Sequence, residues 1–184
     1  MKITKTGIEG LFIIEPHVFE DERGYFFESW SKKKFDENHI DAKFVQDNQS
    51  LSSRGVLRGL HYQAPPFAQG KLVRVIKGAV LDVAVDIRVG SPTYGQHVKI
   101  ELNEKNKLQF YIPPGFAHGF LTLEDQTIFT YKCTGYYHKE SEGTLLWNDP
   151  DVGIDWSIDS PIISEKDKAG IRFKDFISPF SVLK

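Results

Sequence analysis

Apolar residues recur in this chain as short runs, each closed within a few residues by Gly, Pro, Asn or Asp, and this punctuation is what most restricts the fold. Residues 80–88 show it best. Val80, Asp82, Ala84 and Asp86 alternate with Leu81, Val83, Val85 and Ile87, which predicts a strand with one apolar face, ended by Gly90-Ser91-Pro92. Residues 11–15, 25–29, 44–50, 72–77, 96–102, 108–112, 120–123 and 128–134 read the same way. Helix signals are few. Ser31 can cap a helix over 31–38, and Ser164 a short one before Glu165-Lys166-Asp167-Lys168-Ala169. Many short strands at near-regular spacing predict an all-β antiparallel sandwich or barrel, and the helices are too few for βαβ units.

The length of 184 residues suits one domain spanning 1–184, since a domain takes roughly 100–200 residues. Aromatic residues reach 13%, which favours strands. The net charge of −2 gives no broad basic field for nucleic acid or an anionic membrane. Cys133 is the single cysteine, so an internal disulfide and a cysteine-rich metal knuckle are excluded, and a cytoplasmic location is expected. Met1-Lys2-Ile3-Thr4 leads into no apolar run of roughly 7–15 residues, so no signal peptide is expected. No stretch approaches the about 18 apolar residues of a membrane span.

Chemistry-bearing residues gather in two segments. One is Arg58-Gly59-Leu60-His61-Tyr62-Gln63, followed by Lys71 and Gly78; the other is Pro113-Pro114-Gly115-Phe116-Ala117-His118. They resemble the two signature motifs of the cupin superfamily, which implies a double-stranded β-helix, or jelly-roll barrel. In metal-binding cupins the first motif supplies two His one residue apart and a Glu seven residues before a Gly, and the second supplies one His. Here His61 and His118 remain, Gln63 replaces the second His, and Lys71 stands at the Glu position. A lysine ammonium has three donors and no acceptor, and it repels a divalent cation. The metal site therefore reads as erased and replaced by a positive, hydrogen-bonding pocket.

Such a pocket suits proton abstraction next to a carbonyl. A neutral His takes the C–H proton while the Arg58 and Lys71 cations stabilise the forming oxyanion. A lone His on an apolar strand is more often an ordinary core residue, and a lone Arg-Gly pair is usually a turn. The combination at motif spacing favours function.

A wider set of segments follows in order: Asp21-Glu22-Arg23-Gly24, Gln46-Asp47-Asn48, Leu57-Arg58-Gly59-Leu60-His61, Gln69-Gly70-Lys71-Leu72-Val73-Arg74, Asp82-Val83-Ala84-Val85-Asp86-Ile87-Arg88, Ile112 to Phe120, Tyr131-Lys132-Cys133-Thr134 and Trp147-Asn148-Asp149. Together they resemble the dTDP-4-dehydrorhamnose 3,5-epimerase family. The resemblance implies an isomerase that inverts C3 and C5 of dTDP-4-dehydro-6-deoxy-D-glucose to give dTDP-4-dehydro-L-rhamnose. It also implies no cofactor, no metal and a homodimer.

By the same resemblance His61 is the base, Asp167 its orienting carboxylate, Tyr131 the acid, and Lys71 the cation that neutralises the C4 enolate oxygen, with Arg58 and His118 nearby. Inversion needs the proton returned on the face opposite its removal, so base and acid must straddle the ring. A phenol with pKa about 10 stays protonated at neutral pH and can donate. For the nucleotide, the resemblance assigns Arg23, Lys166 and Arg58 to the diphosphate. Glu28 is an acceptor for thymine or sugar, Tyr137 stacks on thymine, and Glu142 is a further binding position. Gln46 and Asn48, two apart, share one strand face. Residues 23–28 are expected to reach the partner subunit's site.

Tyr62, where the family often has Phe, and the loop around Pro65-Pro66 depart from the family pattern and bear on sugar fit. Three other readings stay open: a 3- or 5-monoepimerase of a deoxysugar pathway, a non-catalytic sugar-binding cupin, and a metal-dependent cupin oxygenase or isomerase.

Overall fold

The short runs pair into two facing sheets. The computed structural model describes residues 1–182. In chain order the strands are β1 (Lys2–Lys5), β2 (Phe12–Glu15), β3 (Val18–Asp21), β4 (Gly24–Phe27), β5 (Gln46–Ser52), β6 (Val56–Gln63), β7 (Lys71–Lys77), β8 (Ala79–Asp86), β9 (Arg88–Val89), β10 (His97–Asn103), β11 (Gln109–Ile112), β12 (Phe116–Thr122), β13 (Thr127–Cys133), β14 (Glu142–Thr144), β15 (Ile162–Ile163) and β16 (Phe180–Ser181). The α-helices are α1 (Lys32–Glu37) and α2 (Glu165–Lys168). One sheet runs β1-β2-β11-β7-β13-β5 and the other β10-β8-β12-β6-β14, with β15 parallel to β6. Strands distant in sequence alternate across each sheet, and the long pairings are antiparallel. This is the jelly-roll barrel that the cupin resemblance implies. Among the described residues no helix is long and apolar enough to cross a membrane.

The period-2 pattern of β8 explains two of three apolar layers. Val80 and Ala84 face Phe110, Phe120 and Phe129 between the sheets. Val83, Val85 and Ile87 point the other way, against Val152, Trp156 and Phe176 of the C-terminal segment. Both faces of β8 are thus buried, and the face bearing Asp82 and Asp86 is an interior wall. Buried carboxylates need partners. Asp86 finds Arg88, Ser91 and Thr93 at 2.6–2.9 Å; Asp82 finds a histidine, described below.

The third layer covers the first sheet. Ser31 caps α1 by accepting from Lys34 N–H. A six-residue helix has little stability alone, so packing holds it. Phe35 is fully buried against Ile14, Leu72 and Tyr111, with Tyr111 edge-on at 5.9 Å. Burying such a ring contributes about 1.5–3 kcal/mol.

The strand that carries His61 escapes a pattern search because its burial does not alternate. Its cause is a close approach. Gly59 sits at φ +132°, and a Cβ there would lie 2.5 Å from Gly119 Cα on β12. The β12–β6 register shifts between His118 and Phe120, at the level where His118 faces His61 across the ladder. Such an irregularity re-aims side chains beside it. The β3–β4 hairpin, in contrast, pairs only with itself among the described residues and leaves Phe19, Tyr25 and Phe26 exposed.

Candidate active site

A cavity of about 310 Å³ opens between the two sheets. The first sheet supplies Gln46 and Asn48 from β5, Lys71 from β7 and Tyr131 from β13. The second supplies His61 from β6 and His118 from β12. The even spacing of Gln46 and Asn48 puts both on the inner face of β5, while Asp47 and Gln49 are exposed.

His61 is backed by Asp167, whose Oδ1 lies 2.5 Å from its Nε2. The placement begins with a helix cap. Ser164 Oγ accepts from Asp167 N–H at 3.1 Å, which fixes the first turn of α2 and turns the carboxylate inward. Asp167 is 3% exposed, so it is no solvated helix start. Burial by itself would raise this carboxyl. The hydrogen bond and charge of His61, with the Gly59 N–H, outweigh that and hold it below the ordinary carboxylate range. An ionised carboxylate on one ring nitrogen fixes the tautomer and raises the basicity of the other.

A second, deeper pair lies beside it. His118 Nε2 is 3.0 Å from both oxygens of Asp82, and both residues are buried. Burial pushes the His118 imidazole down; Asp82 opposes that, while Lys71 and His61 add to it. Asp82 is a site residue that motif spacing does not reveal. Its signal within the strand is an acid on the β8 face that also carries Val80, Ala84 and Asp86.

Opposite these pairs, Lys71 Nζ lies 5.8 Å from the centre of the Tyr131 ring. Burial lowers the Lys71 ammonium from its ordinary value, and the neighbouring Cys133 and Asp82 oppose the shift. Burial raises the Tyr131 phenol, and Cys133 adds to it. A raised phenol stays protonated, as an acid must. Tyr131 shares its strand face with Phe129, as its parity predicts.

At the four positions that correspond to metal ligands by the cupin resemblance, three side chains have other hydrogen-bond partners and the fourth is a lysine. Gln63 donates to backbone carbonyls, Lys71 brings an ammonium near the Tyr131 ring, and each histidine is bonded to a carboxylate. Among the described residues no group of three or more His, Cys, Asp or Glu is arranged to hold a metal ion.

The rim carries further predicted residues. Glu142 takes Lys166 Nζ at 2.5 Å and the Tyr137 hydroxyl at 2.9 Å. Burial would raise the Glu142 carboxyl, but these two donors hold it below its usual range. Arg58 is exposed, donates to Ser52 Oγ at 3.2 Å and lies outside the cavity lining. Arg23 and Glu28 are not brought to this cavity within one chain. Arg23 pairs with Asp21 on the β3–β4 hairpin, and Glu28 pairs with Lys34 of α1 at 2.7 Å.

Comparison with known proteins follows the same lines. Residues 5–175 match the profile of the dTDP-4-dehydrorhamnose 3,5-epimerase family. A dTDP-4-dehydrorhamnose 3,5-epimerase from Methanothermobacter thermautotrophicus is 53% identical over 170 residues, covering 91% of either chain. The crystal structure of the enzyme of that name from Elizabethkingia anophelis superposes with a TM-score of 0.92 at 53% identity, covering 95% of this chain and 97% of that one. A dTDP-6-deoxy-D-glucose-3,5-epimerase from Legionella pneumophila, solved in complex with dTDP-4-keto-L-rhamnose, gives 0.90 at 51% identity, covering 94% and 93%. The chain belongs to the dTDP-4-dehydrorhamnose 3,5-epimerase family.

Proposed function

We propose that the cavity inverts C3 and C5 of dTDP-4-dehydro-6-deoxy-D-glucose to give dTDP-4-dehydro-L-rhamnose, in dTDP-L-rhamnose biosynthesis, by abstracting the protons next to the C4 ketone. One observation carries this reading. A histidine backed by a buried carboxylate at 2.5 Å and a tyrosine enter one cavity from opposed sheets.

In each inversion His61 removes the C–H proton, the C–H pair becomes the C=C bond of the enolate, and the carbonyl π pair moves onto the C4 oxygen. Lys71 holds that enolate oxygen, a contribution on the order of 3–4 kcal/mol to the transition state. His118, kept in place by Asp82, lies beside it. Tyr131 then gives its proton to the carbon from the other side, and solvent restores both residues. Asp167 stabilises the imidazolium between the two transfers. Gln46 and Asn48 position the sugar nucleotide, Tyr137, Glu142 and Lys166 form its outer binding surface, and Arg58, beside Ser52 and outside the lining, is assigned to the diphosphate by the family resemblance alone.

On the same reading residues 1–184 are one catalytic domain, working in the cytoplasm as a homodimer. The dimer is supported by the β3–β4 hairpin, whose Phe19, Tyr25 and Phe26 stay more than half exposed and which joins neither large sheet among the described residues. Arg23 and Glu28 would then complete the partner subunit's site.

Incubation of the purified protein with the keto sugar in D₂O, coupled to a reductase that consumes the L-sugar, tests the proposal. Deuterium at both C3 and C5 and reduced L-product are expected. Exchange at one carbon alone would make the chain a monoepimerase, and binding without exchange would make it a sugar-binding protein.

A further inference from the structure

Tyr137 is 56% exposed and lies in a segment without regular structure, a poor start for a rigid platform. Its backbone is nonetheless pinned on every side. Its own N–H donates to Gln46 Oε1 at 3.0 Å. The carbonyl before it, on Tyr136, accepts from Gln63 Nε2 at 3.0 Å. The N–H after it, on His138, donates to Gln63 Oε1 at 2.9 Å. Gln63 Nε2 also donates to the Phe67 carbonyl. The Phe67 ring in turn stacks on His138, with centres 3.7 Å apart and planes 8° from parallel. The phenol end is fixed as well, since Glu142, which accepts the Tyr137 hydroxyl, is the strand partner of Gln63.

Three of the four hydrogen bonds open to the Gln63 amide are made here: two donors go to two carbonyls, and the oxygen accepts from one N–H. Histidine, which metal-binding cupins carry at this position, could not make that set of bonds, and a hydrophobic side chain would make none. We infer that Gln63 is a positioning residue, holding the 136–138 segment so that Tyr137 is preorganised to receive the nucleobase. Gln63, at the position where metal-binding cupins carry a ligand, thus ties the 136–138 segment to β6. Preorganisation matters because a side chain ordered only on binding loses affinity to that ordering. The inference rests on the reading of Tyr137 as the nucleobase contact.

The test uses the full chain and dTDP as the probe. Affinity is measured by calorimetry for the wild type, Tyr137→Ala, Gln63→Ala and the double variant, with KM and kcat for the keto sugar alongside. Gln63→Met, which keeps the side-chain volume in the buried position, serves as the second variant should Gln63→Ala not fold. Loss of a base–aromatic stack weakens binding about tenfold or more. Tyr137→Ala and the Gln63 variants should each show a loss of that order. KM should rise with kcat near the wild-type value, and amide exchange at His138 should quicken. The double variant should be no weaker than Tyr137→Ala alone, because both changes remove one interaction.

A Gln63 variant that binds dTDP like the wild type, while Tyr137→Ala is weakened, overturns the inference. So does a Gln63 loss that is undiminished in the Tyr137→Ala background, or one that falls on kcat alone. If Tyr137→Ala itself binds dTDP as tightly as the wild type, the nucleobase reading fails first and the inference falls with it.

Discussion

His118 Nε2 meets both carboxylate oxygens of Asp82 at 3.0 Å, in an interior where neither residue is more than 6% exposed. The pair does two things at once. It fixes the ring, and it sets a negative charge near Lys71, where that charge resists the lowering of the ammonium by burial. The ammonium is the form that can hold an enolate oxygen. Its folded pKa lies below the ordinary lysine value, so activity should fall as pH rises through that lowered value, earlier than a free lysine would allow. Removing the Asp82 charge lowers Lys71 further. Asp82→Asn should therefore move the alkaline limb of kcat to lower pH, with the fold intact by circular dichroism. An unmoved limb would separate Asp82 from Lys71.

The His61–Asp167 pair predicts a graded loss. His61→Asn removes the base and should lower exchange at both carbons by about 10²–10⁴-fold. Asp167→Asn keeps the imidazole and should cost less, since it removes orientation and charge but not the proton acceptor. Stability offers an independent check. The Asp167 carboxyl is held below its unfolded value of about 3.9, so it stabilises the fold above that pH and ceases to do so as pH falls through the folded value. The difference in Tm between wild type and Asp167→Asn should be present at neutral pH and narrow in acid. A constant difference from neutral to acid pH would mean that the carboxylate charge is not what stabilises this site.

Tyr131→Phe should separate exchange from inversion. Burial keeps the phenol protonated through the working range, so its loss removes a proton source without touching the base. His61 can still take a proton and return one from solvent on the same face. Deuterium should enter while net L-product drops by about 10²-fold or more. The alkaline limb should persist in the exchange rate of this variant, because it belongs to Lys71. If exchange and inversion fall together, Tyr131 is not a separate acid.

How far the sequence reveals this site depends on which interaction carries each residue. Turn punctuation and period-2 runs expose most of the barrel strands, because each depends on neighbours in the chain. Ser31 and Ser164 are legible as caps for the same reason. The strand bearing His61 is not, because its irregular burial comes from the contact of Gly59 with Gly119, sixty residues away. The motif spacing points to His61, Lys71 and His118. Asp167 and Tyr131 come from family resemblance, and the cavity between the sheets brings Tyr131 to His61 and Asp167 behind it. Asp82 looks like a polar member of an amphipathic strand. Only closure of the barrel turns that face inward, and closure is a property of all the strands together.

Arg23 stands on an exposed hairpin, pairs with Asp21, and is absent from the cavity lining of its own chain. If it serves a partner subunit, two defective chains should repair each other. Arg23→Ala has an intact base but lends a defective hairpin, while His61→Asn lends an intact hairpin but has no base. After subunit exchange, the mixed dimer holds one site with both His61 and Arg23 and one site with neither. Equal mixing should then restore about a quarter of the wild-type rate, as expected for random pairing in a two-fold dimer. Were Arg23 to act within its own chain, every site in the mixture would lack either the base or the arginine, and mixing would restore nothing. Recovery on mixing, absent for either variant alone, would establish that the hairpin crosses to the neighbouring cavity.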